Sequence, residues 1–159
     1  ARRAELARAF AADTVAAALA CSDVSDVVVV TDDAQTATAV AAAGALVVAD
    51  EPAAGLNAAL RHGADLLRRR HPDGYVAALS ADLPALRPEE LATTLRAATA
   101  HTVSFVGDAA GIGTTLYAVT RAGTFEPRFG GRSRAAHRGA AQLTRISCHA
   151  TELHQLRRN

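Results

Sequence analysis

The strongest constraint in this sequence is the alternation of short, wholly apolar runs with stretches of helical period. Val27–Val30, Leu46–Val48 and Tyr75–Leu79 are apolar at every position and too short to be independent helices. A strand with no polar face suits a sheet covered on both sides, as parallel sheets are. Between these runs lie three helical segments. Arg3–Ala20 carries Leu6, Phe10, Val15 and Leu19 at helical spacing; Ala34–Ala43 has Asp33 to cap it and Gly44 to close it; Leu56–Arg70 ends in Arg68-Arg69-Arg70, which suits the negative pole of a helix. Pro88-Glu89-Glu90 opens a fourth helix. Thr102–Val106 and Thr114–Thr120 read as strands, Arg134–Leu143 as a helix, Thr144–Ser147 as a strand and Thr151–Arg158 as a last helix. The order predicts one α/β domain, a three-layer α/β/α sandwich around a mostly parallel sheet.

A chain of 159 residues suffices for one such domain and its core. The net charge of +1 points neither to nucleic acid nor to an anionic membrane surface. No run of 18 apolar residues exists to form a membrane span. Cys21 and Cys148 fit no metal or redox spacing, and so small a number predicts a reducing cytoplasm. There is no Met, and Ala1 leads straight into a helical pattern, where a Rossmann-like domain opens with a strand and a phosphate-binding turn. The expectation is that this strand and turn lie upstream of Ala1.

Ligands of such sheets bind at the carboxyl ends of the strands. That rule selects Thr31-Asp32-Asp33, Asp50, Ser80-Ala81-Asp82 and the loops around Gly111 and Gly130. Asp82 follows a buried strand and is braced by Leu83-Pro84; its carboxylate suits a Mg²⁺ shared with phosphates, or else a plain turn. Gly130-Gly131-Arg132-Ser133-Arg134 pairs two glycines with a hydroxyl and a helix start, a natural anion site, with Arg138 and His137 adding positive charge. The alternative there is a Gly turn beside a solvated basic face. Gly111-Ile112-Gly113-Thr114-Thr115 offers small residues and two hydroxyls, equally ordinary strand formers. Asn57, after Gly55, could read a base edge or ribose, or cap its helix. The other histidines show no metal-ligand spacing, and neither a nucleophile elbow nor a Walker A loop is present.

Taken in order, several segments resemble one family. They are Thr31-Asp32-Asp33, Ala49-Asp50-Glu51-Pro52 leading to Gly55-Leu56-Asn57, Ala81-Asp82-Leu83-Pro84, Gly111-Ile112-Gly113-Thr114-Thr115, and Phe129-Gly130-Gly131-Arg132-Ser133-Arg134-Ala135-Ala136-His137. The set is similar to the 2-phospho-L-lactate guanylyltransferase family, many of whose bacterial members look like phosphoenolpyruvate guanylyltransferases. The resemblance implies the nucleotide-diphospho-sugar-transferase-like fold. It also implies Mg²⁺-dependent transfer of GMP from GTP to phosphoenolpyruvate or 2-phospho-L-lactate, releasing pyrophosphate on the route to the deazaflavin coenzyme F420. On that reading Asp82 is the catalytic carboxylate and holds Mg²⁺. Thr114, Gly130 and Ser133 hold the acid substrate, and Gly55 to Asn57 lie by the guanine nucleotide. The family carries an Asp-x-Asp-Thr pattern near its C-terminus where this chain has Cys148-His149-Ala150-Thr151, without an acid. That departure keeps open a ligand-binding relative without catalysis; a further alternative keeps the enzyme class and changes the acceptor, as in a transferase of the molybdenum-cofactor type.

Overall fold

The computed structural model describes residues 2–51, 53–140 and 144–145. The elements follow in the order α1 (Arg2–Leu19), β1 (Val28–Val30), α2 (Ala34–Ala42), β2 (Leu46–Val48), α3 (Leu56–Arg70), β3 (Val76–Leu79), α4 (Pro88–Ala98), β4 (Val103–Gly107), β5 (Thr114–Val119), α5 (Ser133–Ala140) and β6 (Thr144–Arg145). Each matches a segment expected from the sequence, with ends moved by no more than one residue where both are described; the expected end of the fifth helix at Leu143 lies outside the described residues. The expected end of the last strand at Ser147, the segment Cys148–Ala150 and the final helix Thr151–Arg158 lie outside the described residues.

The local signals act as expected. Asp33 caps α2, accepting the Thr36 N–H at 2.7 Å. Gly44 follows α2 with φ 107°, and the Arg87 N–H meets the Glu90 carboxylate at the start of α4 at 3.4 Å.

The strands form two sheets. β1 and β2 pair in parallel, Val29 opposite Val47. The second sheet has the order β3-β5-β4-β6. There β5 runs antiparallel to both β3 and β4, and β6 runs parallel to β4. Thus β3, β4 and β6 share one direction and β5 alone is reversed. That reversal follows from the short Gly-containing connection between β4 and β5, since adjacent strands joined by a tight loop must be antiparallel.

Helices cover both faces. Ala18 and Cys21, at and just beyond the end of α1, join Leu91 and Ala92 of α4 against Leu116 and Ala118 of β5. Val15 of α1 and Val40 of α2 close over Val27, Val29 and Val47. On the opposite face α3 lays Ala64, Leu60 and Leu67 on Val76, Ala78, Tyr117 and Val119. The same helix also packs on β1, where a Cβ on Gly63 would meet Val30 Cγ2 at 3.1 Å. α1 and α3 therefore bridge the two sheets from opposite sides. The valines of β1 and β2 are only half-buried, less than a run apolar on both faces suggests. β1 pairs with a strand on one side only, so its other edge is not covered by a described neighbour.

Candidate functional site

The first group of candidate residues sits where β1, β2 and β3 end. After Leu79, Ser80 still donates its N–H to the Thr115 carbonyl at 2.8 Å, and the chain then leaves the sheet. Its exit is fixed by Thr14 of α1, which is 3% exposed. Thr14 Oγ1 accepts the Leu83 N–H at 3.1 Å and has the Phe10 and Ala81 carbonyls at 2.8 and 3.2 Å as alternative acceptors for its one proton. Asp82, held between those anchors, is exposed, and among the described residues its carboxylate receives only the Ser80 hydroxyl, at 2.5 Å.

The neighbouring acids are more committed. Asp32 accepts the Asp50 N–H at 3.0 Å, tying the ends of β1 and β2, and Asp50 accepts the Ala53 N–H at 3.2 Å. Asp33 meets Arg8 through both carboxylate oxygens, at 3.1 and 3.2 Å. The Arg8 guanidinium and the Thr36 hydroxyl and N–H hold its carboxyl far below the usual carboxylate range. No group of three or more His, Cys, Asp or Glu able to hold a metal occurs among the described residues.

The second group gathers where β5 begins and α5 starts. Gly130 has φ 148°, a conformation that side-chain-bearing residues rarely adopt. Its carbonyl accepts the Ser133 N–H at 3.1 Å, closing a turn into α5. The N–H groups of Gly130, Gly131 and Arg132 make no hydrogen bond to any described residue. Successive unpaired N–H groups at a helix start form a concave donor site for an anion. Ser133 is 3% exposed and its hydroxyl has no partner among the described residues. Every fully enclosed side-chain polar atom among them is paired, so this hydroxyl reaches the accessible edge of the turn.

Three side chains hold this turn. Asn57 of α3 grips Phe129 by both backbone groups, accepting its N–H at 2.8 Å and donating to its carbonyl at 3.0 Å. Gly55, at φ 88°, occupies the cap position of α3, so Asn57 is not the cap; its amide spans 72 residues to brace the turn and keeps a second N–H and a second lone pair. Arg134 donates its backbone N–H to the Ile112 carbonyl at 3.1 Å and a guanidinium N–H to the Gly111 carbonyl at 2.8 Å, locking α5 to the β4–β5 loop. Gly111 has φ 72°, which favours glycine, and a Cβ there would stand 2.6 Å from Arg134 Nη1, so the guanidinium that bonds the Gly111 carbonyl would have to shift. Beside this contact lies a cleft of about 410 Å³, lined by Gly111, Ile112, Arg132, Arg134, Ala135 and Arg138.

The third brace is His137. It is 1% exposed, with Nδ1 2.9 Å from Thr114 Oγ1 and Nε2 2.8 Å from the Arg128 backbone nitrogen. The ring stacks on Tyr117 at 4.7 Å and is flanked by Phe105 and Phe129 at 5.8 and 5.5 Å. Burial, helped by the nearby Arg128 charge, pushes its pKa down to about 4. The expectation that His137 adds positive charge is therefore corrected: it is neutral at pH 7, and the positive charge near the turn comes from arginines.

The structure thus ties Thr114, Gly130, Ser133 and Asn57 into one constellation, with Gly55 at the start of the helix that carries Asn57. Asp82 belongs to the other group, on the loop after β3. Sequence reading missed Thr14 and the bracing roles of Asn57 and His137. The spacing of Ser133 and His137, one helical turn apart, is the sequence signal that could have placed them on one face, and the structure buries both.

Comparison with known proteins adds four findings. The profile of the MobA-like NTP transferase domain matches residues 4–147. The chain is 61% identical over 140 residues to a phosphoenolpyruvate guanylyltransferase of Streptomyces coelicolor, covering 87% of this chain and 66% of that protein. It is 54% identical over 144 residues to the protein of that name from Streptomyces scabiei, covering 87% and 67%. Among structures, the fold is similar to a "putative nucleotide-diphospho-sugar transferase" from Desulfovibrio desulfuricans, with TM-score 0.67, 14% identity and coverage of 90% and 67%. With coverage of 66%, 63% and 65%, the chain spans just under two thirds of three such relatives from Streptomyces coelicolor, Thermomonospora curvata and Streptomyces avermitilis.

Proposed function

The chain belongs to the MobA-like NTP transferase domain family, together with the phosphoenolpyruvate guanylyltransferases it matches, and on that premise we propose that it transfers GMP from GTP to a small phosphorylated acid. The acid is phosphoenolpyruvate or 2-phospho-L-lactate, pyrophosphate is released, and the product feeds coenzyme F420 assembly in the cytoplasm. One observation carries the reading: the turn with the unpaired N–H groups and Ser133 is braced by His137, the same side chain that bonds the Thr114 hydroxyl.

The chemistry asks little of a base. A phosphate monoester with a second pKa of about 6 is already an anionic nucleophile near pH 7. The obstacle is bringing two anions together, and catalysis then consists of positioning and charge neutralisation. The Gly130–Arg132 N–H groups, Ser133 and Thr114 would hold the acid, with Arg132 and Arg138 supplying positive charge. The start of α3 at Gly55 would flank the nucleotide.

Asp82 would hold Mg²⁺. It is a hard oxygen donor, exposed and engaged by a single hydroxyl, which fits an ion that takes one or two carboxylates and fills its sphere with phosphate oxygens and water. When bound, that ion would neutralise charge developing on the triphosphate.

The test is pyrophosphate release by the complete gene product from GTP, Mg²⁺ and each acid. Release is expected with one of them, and Asp82→Asn is expected to slow it by about a hundredfold. No release with either acid, or an Asp82→Asn protein as fast as its parent, would sink the proposal. GTP binding without turnover would instead favour the non-catalytic reading motivated by Cys148-His149-Ala150.

A further inference from the structure

We infer that His137 is a positioning residue that aims the Thr114 hydroxyl at the bound acid and fixes the Gly130 turn beside it; this rests on the reading of Thr114 as an anion ligand given above.

The argument begins with the Arg128 backbone N–H. It can only donate, so His137 Nε2, 2.8 Å away, must present its lone pair. A neutral imidazole then carries its proton on Nδ1. That nitrogen lies 2.9 Å from Thr114 Oγ1, so the ring donates and the threonine oxygen accepts. The hydroxyl's own proton must therefore turn away from the ring. Oγ1 has no other partner among the described residues, so this proton is left for an acceptor that they do not provide. On the reading given above, that acceptor is an oxyanion of the bound acid.

The surroundings keep this polarity in place. Tyr117 stacks at 20° to the ring plane, and Phe105 and Phe129 stand close on other sides. A flip of the ring would exchange both nitrogens for carbons and lose both hydrogen bonds. With its pKa near 4, the ring also stays in the form that accepts from Arg128. At 1% exposure His137 does not itself reach a ligand, and it acts only through Thr114 and the turn.

Two substitutions separate the two bonds. His137→Gln can place an amide oxygen near the Nε2 position and keep an acceptor for Arg128, but has no donor at the Nδ1 position. His137→Asn puts an amide N–H near the Nδ1 position and keeps the donor to Thr114. The assay is steady-state turnover of the complete gene product with GTP, Mg²⁺ and phosphoenolpyruvate. His137→Gln should raise KM for phosphoenolpyruvate about tenfold, the worth of one hydrogen bond to a charged ligand, while KM for GTP and kcat change by less than about twofold. His137→Asn should recover most of that loss. In a Thr114→Val background, His137→Gln should add less than about twofold, because the residue it acts through is gone.

Independent, multiplying effects of the two substitutions, or an unchanged KM in His137→Gln, would overturn the inference while leaving the anion-site reading intact. If Thr114→Val alone leaves KM for phosphoenolpyruvate unchanged, the anion-site reading of Thr114 falls and the inference falls with it. Nitrogen-15 chemical shifts of the parent protein's imidazole at pH 7 give a check that needs no variant. A protonated Nδ1 and bare Nε2 are expected, and the opposite tautomer would refute the polarity on which the inference stands.

Discussion

The loop carrying Asp82 and the loop carrying Gly130 end at candidate ligand-binding positions, but they are held by different means. The Asp82 loop hangs from one threonine hydroxyl on an alanine-rich helix, and its carboxylate is exposed. The Gly130 loop is gripped by an amide, an imidazole and an arginine, over a patch of four aromatic rings. Three of the chain's four phenylalanines and one of its two tyrosines meet there, so most of its aromatic surface is spent on this site. The difference teaches that the proposed acid site is built by the protein alone. The Asp82 side instead leaves its carboxylate to be satisfied by what binds there. If so, perturbing the Gly130 loop should cost more stability than perturbing the Asp82 loop, and removing the Asp82 carboxylate itself should cost activity alone.

The largest expected effect comes from pH. In the unfolded chain His137 titrates near 6.5, and in the fold near 4. Above pH 6.5 both states are neutral and the full stability is present. As pH falls from 6.5 to about 4, the unfolded chain gains a proton that the fold refuses, and stability drops by up to roughly 3 kcal/mol. Below pH 4 this group adds no further loss. Urea unfolding of the parent and of His137→Phe across that window should differ by this amount. Parallel curves would mean that the imidazole is not held neutral, and the contrast between the loops would weaken.

Next is Asn57→Leu, which removes both bonds to Phe129 while keeping side-chain volume. Leaving a partly buried N–H and carbonyl unpaired should cost about 2 kcal/mol in unfolding free energy. Thr14→Val, the matching change at the other loop, removes one hydroxyl, leaves a single backbone N–H, that of Leu83, without its acceptor, and should cost about 1 kcal/mol. A larger loss at Thr14 than at Asn57 would invert the comparison.

These contrasts also show what could be read from residues alone. The strands at Val28–Val30 and Leu46–Val48 and the cap at Asp33 were legible because each depends on neighbours within a few positions. The reversal of β5 within the second sheet required knowing that its link to β4 folds back tightly. Asn57 offered two local readings, a cap and a base-edge contact, yet its amide is used by Phe129, 72 residues away. Thr14 looked like one polar residue in an alanine helix, and its partner Leu83 is 69 residues distant. His137 was counted as a charge because nothing local announces that three aromatic rings will enclose it. Periodicity and capping are short-range signals, whereas bracing is a property of the assembled packing.

The smallest effect on stability is expected where the effect on chemistry is greatest. Asp82 is exposed and its one bond, from Ser80, is available to water in its absence. Asp82→Asn should therefore change unfolding free energy by no more than about 0.5 kcal/mol, as substitutions of unburied side chains do. A structural turn aspartate would behave otherwise: its removal would loosen the Ala81–Leu83 exit that Thr14 also holds. Thermal melts of the single and double variants distinguish the cases, because a shared structural role makes neighbouring losses non-additive. If Asp82→Asn leaves the melt unmoved while slowing pyrophosphate release about a hundredfold, its carboxylate serves what binds rather than the fold. If both measurements move together, Asp82 is part of the scaffold and the metal must be sought elsewhere.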